Sequence, residues 1–194
     1  MKSISAVILL ALTVDGANRA IVNSLADFQI AMGNSHLPKQ LLLPDFQAEG
    51  ITAQGVTLAG MSSWLRTGDA SISVNDMGGL ISEIDLGMSA LFLSVGHFQC
   101  DNLTAEGVGF AVQKNSFHFK YAAYLAQGCN STLEDLSLTA LDRVTASSKD
   151  PKLDGRDFSL LFQERILPAL NERLASGEAL HIYRKFLDPC LAIH

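Results

Sequence analysis

The sequence predicts an α+β domain in which an N-terminal helix and a long C-terminal helix flank an antiparallel β-meander. Three observations predict it. Apolar residues recur at helical spacing between Ile21 and Met32, and again beyond Asp157. Between them, over residues 50–146, the apolar period falls to two and glycine-rich turns punctuate it. Helix, sheet and helix in that order gather the helices on one face of the sheet. With 194 residues, 48% of them apolar and 18% charged, the chain has one domain's length and ample material for a core, which excludes a disordered tail.

Met1-Lys2-Ser3 carries a positive charge, Ile4 to Val14 is almost unbroken apolar, and Val14-Asp15-Gly16 offers small residues where a signal peptidase reads. Residues 1–16 therefore read as a secretory signal, and residues 17–194 as a single secreted, extracellular domain. In that domain Ile21, Leu25, Phe28 and Met32 form the apolar stripe of a helix that Gly33 stops. Pro38 and Pro44 bracket an extended connector, Lys39–Leu43. Ile51 and Ala53 alternate, Gly55 interrupts, and Val56 and Leu58 resume on the shifted phase, which predicts a bulge. Ala70, Ile72 and Val74 alternate with polar residues, Asn75-Asp76-Met77-Gly78-Gly79 turns the chain, and Leu80, Ile84, Leu86 and Met88 follow. Gly107-Val108-Gly109 lacks a third glycine and a following helix, and reads as a turn. Phe117, Phe119, Tyr121, Ala123 and Leu125 share one face opposite His118, Lys120 and Tyr124. Gln127–Thr132 is a turn, after which Leu136, Leu138 and Ala140 alternate, for six or so strands in all. Phe158, Leu161, Phe162, Ile166, Leu167, Leu170 and Leu174 then form a wide helical stripe, kinked or restarted at Pro168. A last short helix fits Ala179–Leu187.

Chemistry is sparse. A net charge of -6 without any basic run argues against a nucleic-acid partner. His36, His97, His118, His181 and His194 are scattered at no metal-binding spacing, although His97 and His118 would face each other across a turn near Gly107. Glu83 and Asp85 read as a solvated outward face, and Asp142 with Arg143 likewise. No nucleophile, phosphate-loop or dinucleotide motif occurs, so the chain reads as no enzyme, with no cofactor and no metal. Cys100, Cys129 and Cys190 allow three single disulfides and always leave one thiol over. A long strand between Cys100 and Cys129 would hold them too far apart to bridge, and the pairing stays open. Asn102-Leu103-Thr104 and Asn130-Ser131-Thr132 are sequons in polar stretches, which marks Asn102 and Asn130 for glycosylation. Trp64 is either core or an exposed apolar tip. The excess of apolar residues on few elements leaves room for a gap between sheet and helix, where a lipid chain would be desolvated at ~0.8 kcal/mol per methylene.

The run Leu58-Ala59-Gly60-Met61-Ser62-Ser63-Trp64-Leu65-Arg66-Thr67-Gly68-Asp69-Ala70-Ser71-Ile72 resembles a stretch of the mite group 7 allergens. Gly60, Arg66, Gly68, Asp69 and Ala70 match it directly, while Met61 and Trp64 are apolar replacements. Gly128, Asn130, Thr132 and Leu133 follow the Gly-Asn-x-Thr-Leu turn of those proteins, with Cys129 inserted. Leu37-Pro38 and Leu43-Pro44-Asp45-Phe46 resemble small secreted tick salivary proteins with the same order of elements. Both groups are similar to the juvenile hormone-binding and bactericidal/permeability-increasing proteins. The resemblance implies a curved sheet wrapped around the C-terminal helix, an apolar ligand between them and no cofactor. The chain is shorter than the hormone binders and has no place for their N-terminal disulfide, so a hormone ligand is not implied.

On that arrangement Phe117, Phe119 and Tyr121 of the sheet and Phe158, Leu161, Phe162, Ile166 and Leu170 of the helix line a ligand cavity, with the opposite strand phase as the alternative. Trp64 and Leu65 become candidates for a portal, or for touching membrane lipid or lipopolysaccharide. The expected protein is a secreted, glycosylated, non-catalytic lipid binder of arthropod, allergen-like type. The alternative is a secreted salivary or innate-immune module that docks on a protein through an exposed apolar patch and has no cavity. Ligand identity and oligomeric state stay open.

Overall fold

The computed structural model describes residues 19–35, 37–48, 50–124 and 130–175. The leader read over residues 1–16, His36, Leu125, Cys129, Cys190 and the short helix expected at Ala179–Leu187 lie outside them.

Helix α1 (Arg19–Asn34) passes Gly33 by one residue before it ends. Its rotation differs from the expected one. Val22 and Ala26 are buried, whereas Ile21, Phe28 and Met32 of the expected inner stripe each keep more than half of their surface exposed. The reason is a polar tether. Asp27 pairs with Arg66 at 3.0 Å, Arg19 with Asp69 at 3.0 Å, and the Asn23 amide donates to Asp69 and accepts the Ala70 N–H, both at 2.9 Å. Positions 19, 23 and 27 share a face with 22 and 26, so these bonds fix the side that meets the sheet.

Among the described residues nine strands form one antiparallel sheet: β1 (Gln40–Leu42), β2 (Phe46–Ala48), β3 (Ile51–Ala59), β4 (Trp64–Arg66), β5 (Ser71–Val74), β6 (Leu80–Met88), β7 (Leu91–Cys100), β8 (Leu103–Tyr124) and β9 (Asn130–Ser147). It is not the plain meander the sequence suggested. The 22-residue β8 is a spine with β9 along one edge, while β7 and β6 lie end to end along the other. β3 pairs with β7, β1 and β2 pair with β3, and β4 and β5 pair with β6. Where β6 hands over to β7 the ladder on β8 is broken, and Asn115 fills the break. Its buried amide accepts the Met88 N–H at 2.7 Å and donates to the Met88 carbonyl at 2.8 Å, satisfying both backbone groups as a strand would.

Gly55 takes φ 61°, and the phase of burial on β3 shifts there as expected. The strands beside it shift with it. Gly55, Gly96 and Gly107 occupy facing positions on β3, β7 and β8, and the pairing keeps one register on either side of them. Buried positions change parity across that row on all three strands, from Ala53 to Val56, from Phe98 to Val95 and from Ala105 to Val108. Gly107 is therefore no turn: with φ 63° it sits within β8.

The C-terminal helical segment is short, not long, among the described residues. It runs as α2 (Ser159–Leu161), a π turn (Phe162–Ile166) and α3 (Leu167–Arg173). Pro168 accounts for the π turn. It has no N–H for the Glu164 carbonyl and its ring would collide with it, so the turn widens and the Leu167 N–H reaches back to Phe162. Asp157 starts the segment by accepting both the amide and the hydroxyl of Ser159, which holds its carboxyl below the usual range. Phe98, Phe110, Phe162, Ile51 and Val144 are fully buried where this helix meets the sheet.

Candidate functional site: an apolar cavity between sheet and helix

The side chains between the sheet and the C-terminal helix do not fill the space they enclose. A cavity of about 260 Å³ remains. β3 contributes Ile51, Ala53, Val56 and Leu58, β7 contributes Leu91, Leu93, Val95 and Phe98, and β9 contributes Leu136, Leu138 and Leu141. Leu41 of β1, Phe46 of β2, Trp64 of β4 and Met88 of β6 complete the sheet's share, opposite Phe162, Ile166 and Leu170 of the helix. Among the described residues Arg173 is the one charged residue in the wall.

Two aromatic clusters mark the cavity along β8. Trp64 meets Phe117 and Phe119 edge-on, at ring separations of 5.2 and 6.1 Å. Phe110 packs against Phe98 at 5.1 Å and Phe162 at 5.3 Å. Phe110 and Phe117 lie roughly 23 Å apart along an extended strand, so the wall is long as well as apolar. The indole Nε1 of Trp64 is buried without a hydrogen-bond partner among the described residues. The helix is fixed on both sides of the cavity. Asn171 accepts the Leu138 N–H at 2.7 Å and donates to the Leu138 carbonyl at 2.9 Å, while Arg173 donates to the Asp45 carbonyl at 3.3 Å and stacks over Phe46 at 5.1 Å.

Of the ten residues singled out in the sequence, Trp64, Phe117, Phe119, Phe162, Ile166 and Leu170 stand in this wall. Four do not. Phe158 is buried behind it, packed on Phe110 at 5.4 Å with the Arg156 guanidinium over its ring. Leu161 packs against the core outside the wall. Beyond the register shift at Lys120/Tyr121, Tyr121 turns to Ser82, and burial raises its hydroxyl pKa. Leu65 points outward and is exposed. Trp64 is not an exposed tip either: the side chain of Asn34 pairs with both its backbone groups, and its ring is buried. Periodicity missed Phe98 and Phe110, since the turn read at Gly107–Gly109 hid the first half of β8. The alternation of Ile51, Ala53, Val56 and Leu58 was a signal for the β3 wall.

The outer face holds ordinary cross-strand pairs. His118 Nδ1 lies 2.8 Å from Asp85, Lys120 Nζ lies 3.0 Å from Glu83, and His97 pairs with Glu106, so the two histidines do not meet. Cys100 is half-buried and free of a disulfide among the described residues, its thiol pKa raised by burial and then by Asp101. Arg165 grips that Asp101 through two bonds, at 2.9 and 3.1 Å, and holds its carboxyl below the usual range. Asn102 in the β7–β8 turn and Asn130 at the start of β9 are both exposed. Among the described residues no group of three or more His, Cys, Asp or Glu converges as metal ligands, and no helix is long and apolar enough to cross a membrane. No protein-family model matches the chain, and no curated protein matches it.

Proposed function

We propose that this chain is a secreted, non-catalytic binding protein that holds a lipid or other apolar ligand between its sheet and its C-terminal helix. The observation that carries the reading is the cavity of about 260 Å³, whose wall among the described residues is apolar but for Arg173. A close-packed interior keeps few voids larger than a water molecule. Apolar surface left unpacked in this way is unfavourable, since each methylene buried against it would gain ~0.8 kcal/mol. A fold that keeps such a space gains from filling it with a ligand. Residues from the edge strands β1, β2 and β9 share the wall, which supports a curved sheet wrapped around the helix. That architecture and the Gly60–Ala70 stretch support kinship with the arthropod lipid binders of the mite group 7 kind. Exposed Asn102 and Asn130 are in keeping with glycosylation of a secreted chain.

The test is native mass spectrometry of the protein secreted from insect cells, followed by solvent extraction. The expected result is a bound mass released as fatty acid or phospholipid. A bare polypeptide that also fails to take up a fluorescent fatty acid would overturn the reading. The second reading, a protein-docking module, draws on α1, whose Ile21, Phe28 and Met32 form an exposed apolar stripe.

A further inference from the structure

Resting on the reading of the cavity as a ligand site, we infer that it selects its ligand by hydrocarbon alone, enclosing one alkyl segment of about nine carbons and recognising no head group. A site that orients a polar ligand sets a few polar groups into an otherwise apolar wall. This wall does not. Among the described residues it contains no serine, threonine, asparagine, glutamine, histidine, tyrosine or carboxylate. Its strand backbones turn their N–H and C=O groups along the sheet, into the β3–β7, β7–β8 and β8–β9 ladders, and not out of its face. The two polar side chains in the wall do not alter this. The indole Nε1 of Trp64 is itself buried, shielded from the open space, and the Arg173 guanidinium is engaged by the Phe46 ring and the Asp45 carbonyl.

Such a wall favours every methylene that enters it, by about fourfold in affinity, and opposes every polar group. The gain ends when the space is full. A methylene takes about the room of a water molecule, ~30 Å³, so a cavity of about 260 Å³ holds roughly nine carbons. A hydroxyl carried inside loses its water partners and meets none in return, which weakens binding about tenfold or more. A head group at the chain's end gains nothing from the wall and stays in water.

The full chain, delipidated, is titrated in about 0.15 M salt, which screens its net charge, following the fluorescence of Trp64, the single tryptophan, which stands in the wall. Across 1-alkanols of six to fourteen carbons, affinity should climb about fourfold per methylene and level off at roughly eight to twelve carbons. A climb that does not level off in that range overturns the inference, as does the absence of any climb. Dodecanol, dodecanoate and dodecyltrimethylammonium should bind within about threefold of one another; a wider spread means that a head group is recognised and overturns it. 1,6-Dodecanediol, with a hydroxyl in mid-chain, should bind at least about tenfold more weakly than dodecanol. A smaller loss reveals a polar partner in the wall and overturns it likewise. Ala53→Leu, which adds three carbons to the wall, should level off about three carbons earlier, with thermal melting as the check on its fold. In a folded variant, an unmoved limit places the chain elsewhere. Any of these failures leaves ligand binding itself standing, whereas failure of every probe to bind overturns that reading.

Discussion

Ala53→Leu places three more carbons in the cavity and asks whether the space is there. Ala53 stands in the wall on β3, opposite Phe46 on β2 and Phe98 on β7, and is 8% exposed. Each added carbon that leaves water gains ~0.8 kcal/mol, about 2.4 in all. Ordering the leucine side chain costs ~0.5–1 kcal/mol, which leaves a net gain of about 1.5 kcal/mol. A close-packed core would respond with the opposite sign, because overpacking costs ~1–3 kcal/mol. Urea unfolding of the delipidated chain, read by Trp64 fluorescence, measures the difference. Thermal melting should show the same change as a rise of ~3–6 °C. The gain should also trade against ligand. A lipid at a hundred times its dissociation constant stabilises the native chain by about 2.7 kcal/mol, and the variant, with less room, should gain less. A loss of about 1 kcal/mol or more in the delipidated variant would refute the reasoning, since the cavity would then be space that its neighbours need.

Asn115→Asp should match the native chain only in acid. Protonated, it can donate to the Met88 carbonyl and accept the Met88 N–H as asparagine does; ionised, it is a buried carboxylate facing a carbonyl. Its folded pKa is thus raised, and stability should fall as pH climbs above about 3.9, by about 3 kcal/mol at pH 7 in urea titrations. Asp101→Asn tests the opposite sign. The Arg165 bond depresses the pKa of Asp101, so the native advantage is complete above about pH 4 and should vanish as pH falls through that lowered pKa. The substitution suits the backbone, since Asn tolerates the φ of 53° there. Gly60→Ala should cost about 3 kcal/mol in thermal melts, because φ is 99° and a Cβ would strike the Ala90 carbonyl; Gly78→Ala, with φ 75° but open space, should cost about 1. Phe162→Ala should cost about 3–5 kcal/mol in urea, since the ring is fully buried against Phe110.

The sheet was legible wherever alternation was uninterrupted and punctuation was strong. Asn75 closes the expected turn by accepting the Met77 and Gly79 N–H groups, and β5 and β6 flank it as read. What failed to show was anything set by distant partners. The rotation of α1 depends on Arg66 and Asp69, some forty residues away, and the helix is apolar on two sides, so periodicity alone chose the wrong one. β7 and the first half of β8 were hidden because glycine spoils alternation in any single strand. Their parity shift makes sense only once three strands are paired and Gly55, Gly96 and Gly107 fall in line. The same limit applied to the cavity. The helix stripe led to Phe162, Ile166 and Leu170, but no periodicity singled out Arg173, whose neighbours Phe46 and Asp45 lie over a hundred residues away in sequence.

The five residues of the Gly60–Ala70 stretch that match the mite allergen pattern directly have structural tasks here. Gly60 admits the Ala90 carbonyl, and Gly68 leaves room for the Asp85 side chain. Arg66 binds Asp27 and the Gly68 carbonyl at 2.6 Å, and Asp69 and Ala70 hold Asn23. The stretch is therefore a latch for α1, and its physical content is where a helix attaches, not what the protein binds. Such a latch of largely exposed ion pairs contributes little, about 1 kcal/mol or less per pair. The cavity, by contrast, is built from the most buried part of the molecule, where β3, β7, β8 and β9 meet Phe162 and Ile166. The two readings of function thus rest on separate parts of the fold. Protein docking would use a weakly tethered helix with an apolar outer stripe, whereas ligand binding would use the apolar wall between sheet and C-terminal helix. An unfilled apolar space of about 260 Å³ is uncommon beside a packed core, while an exposed apolar stripe on one helix is ordinary, and this asymmetry favours the ligand.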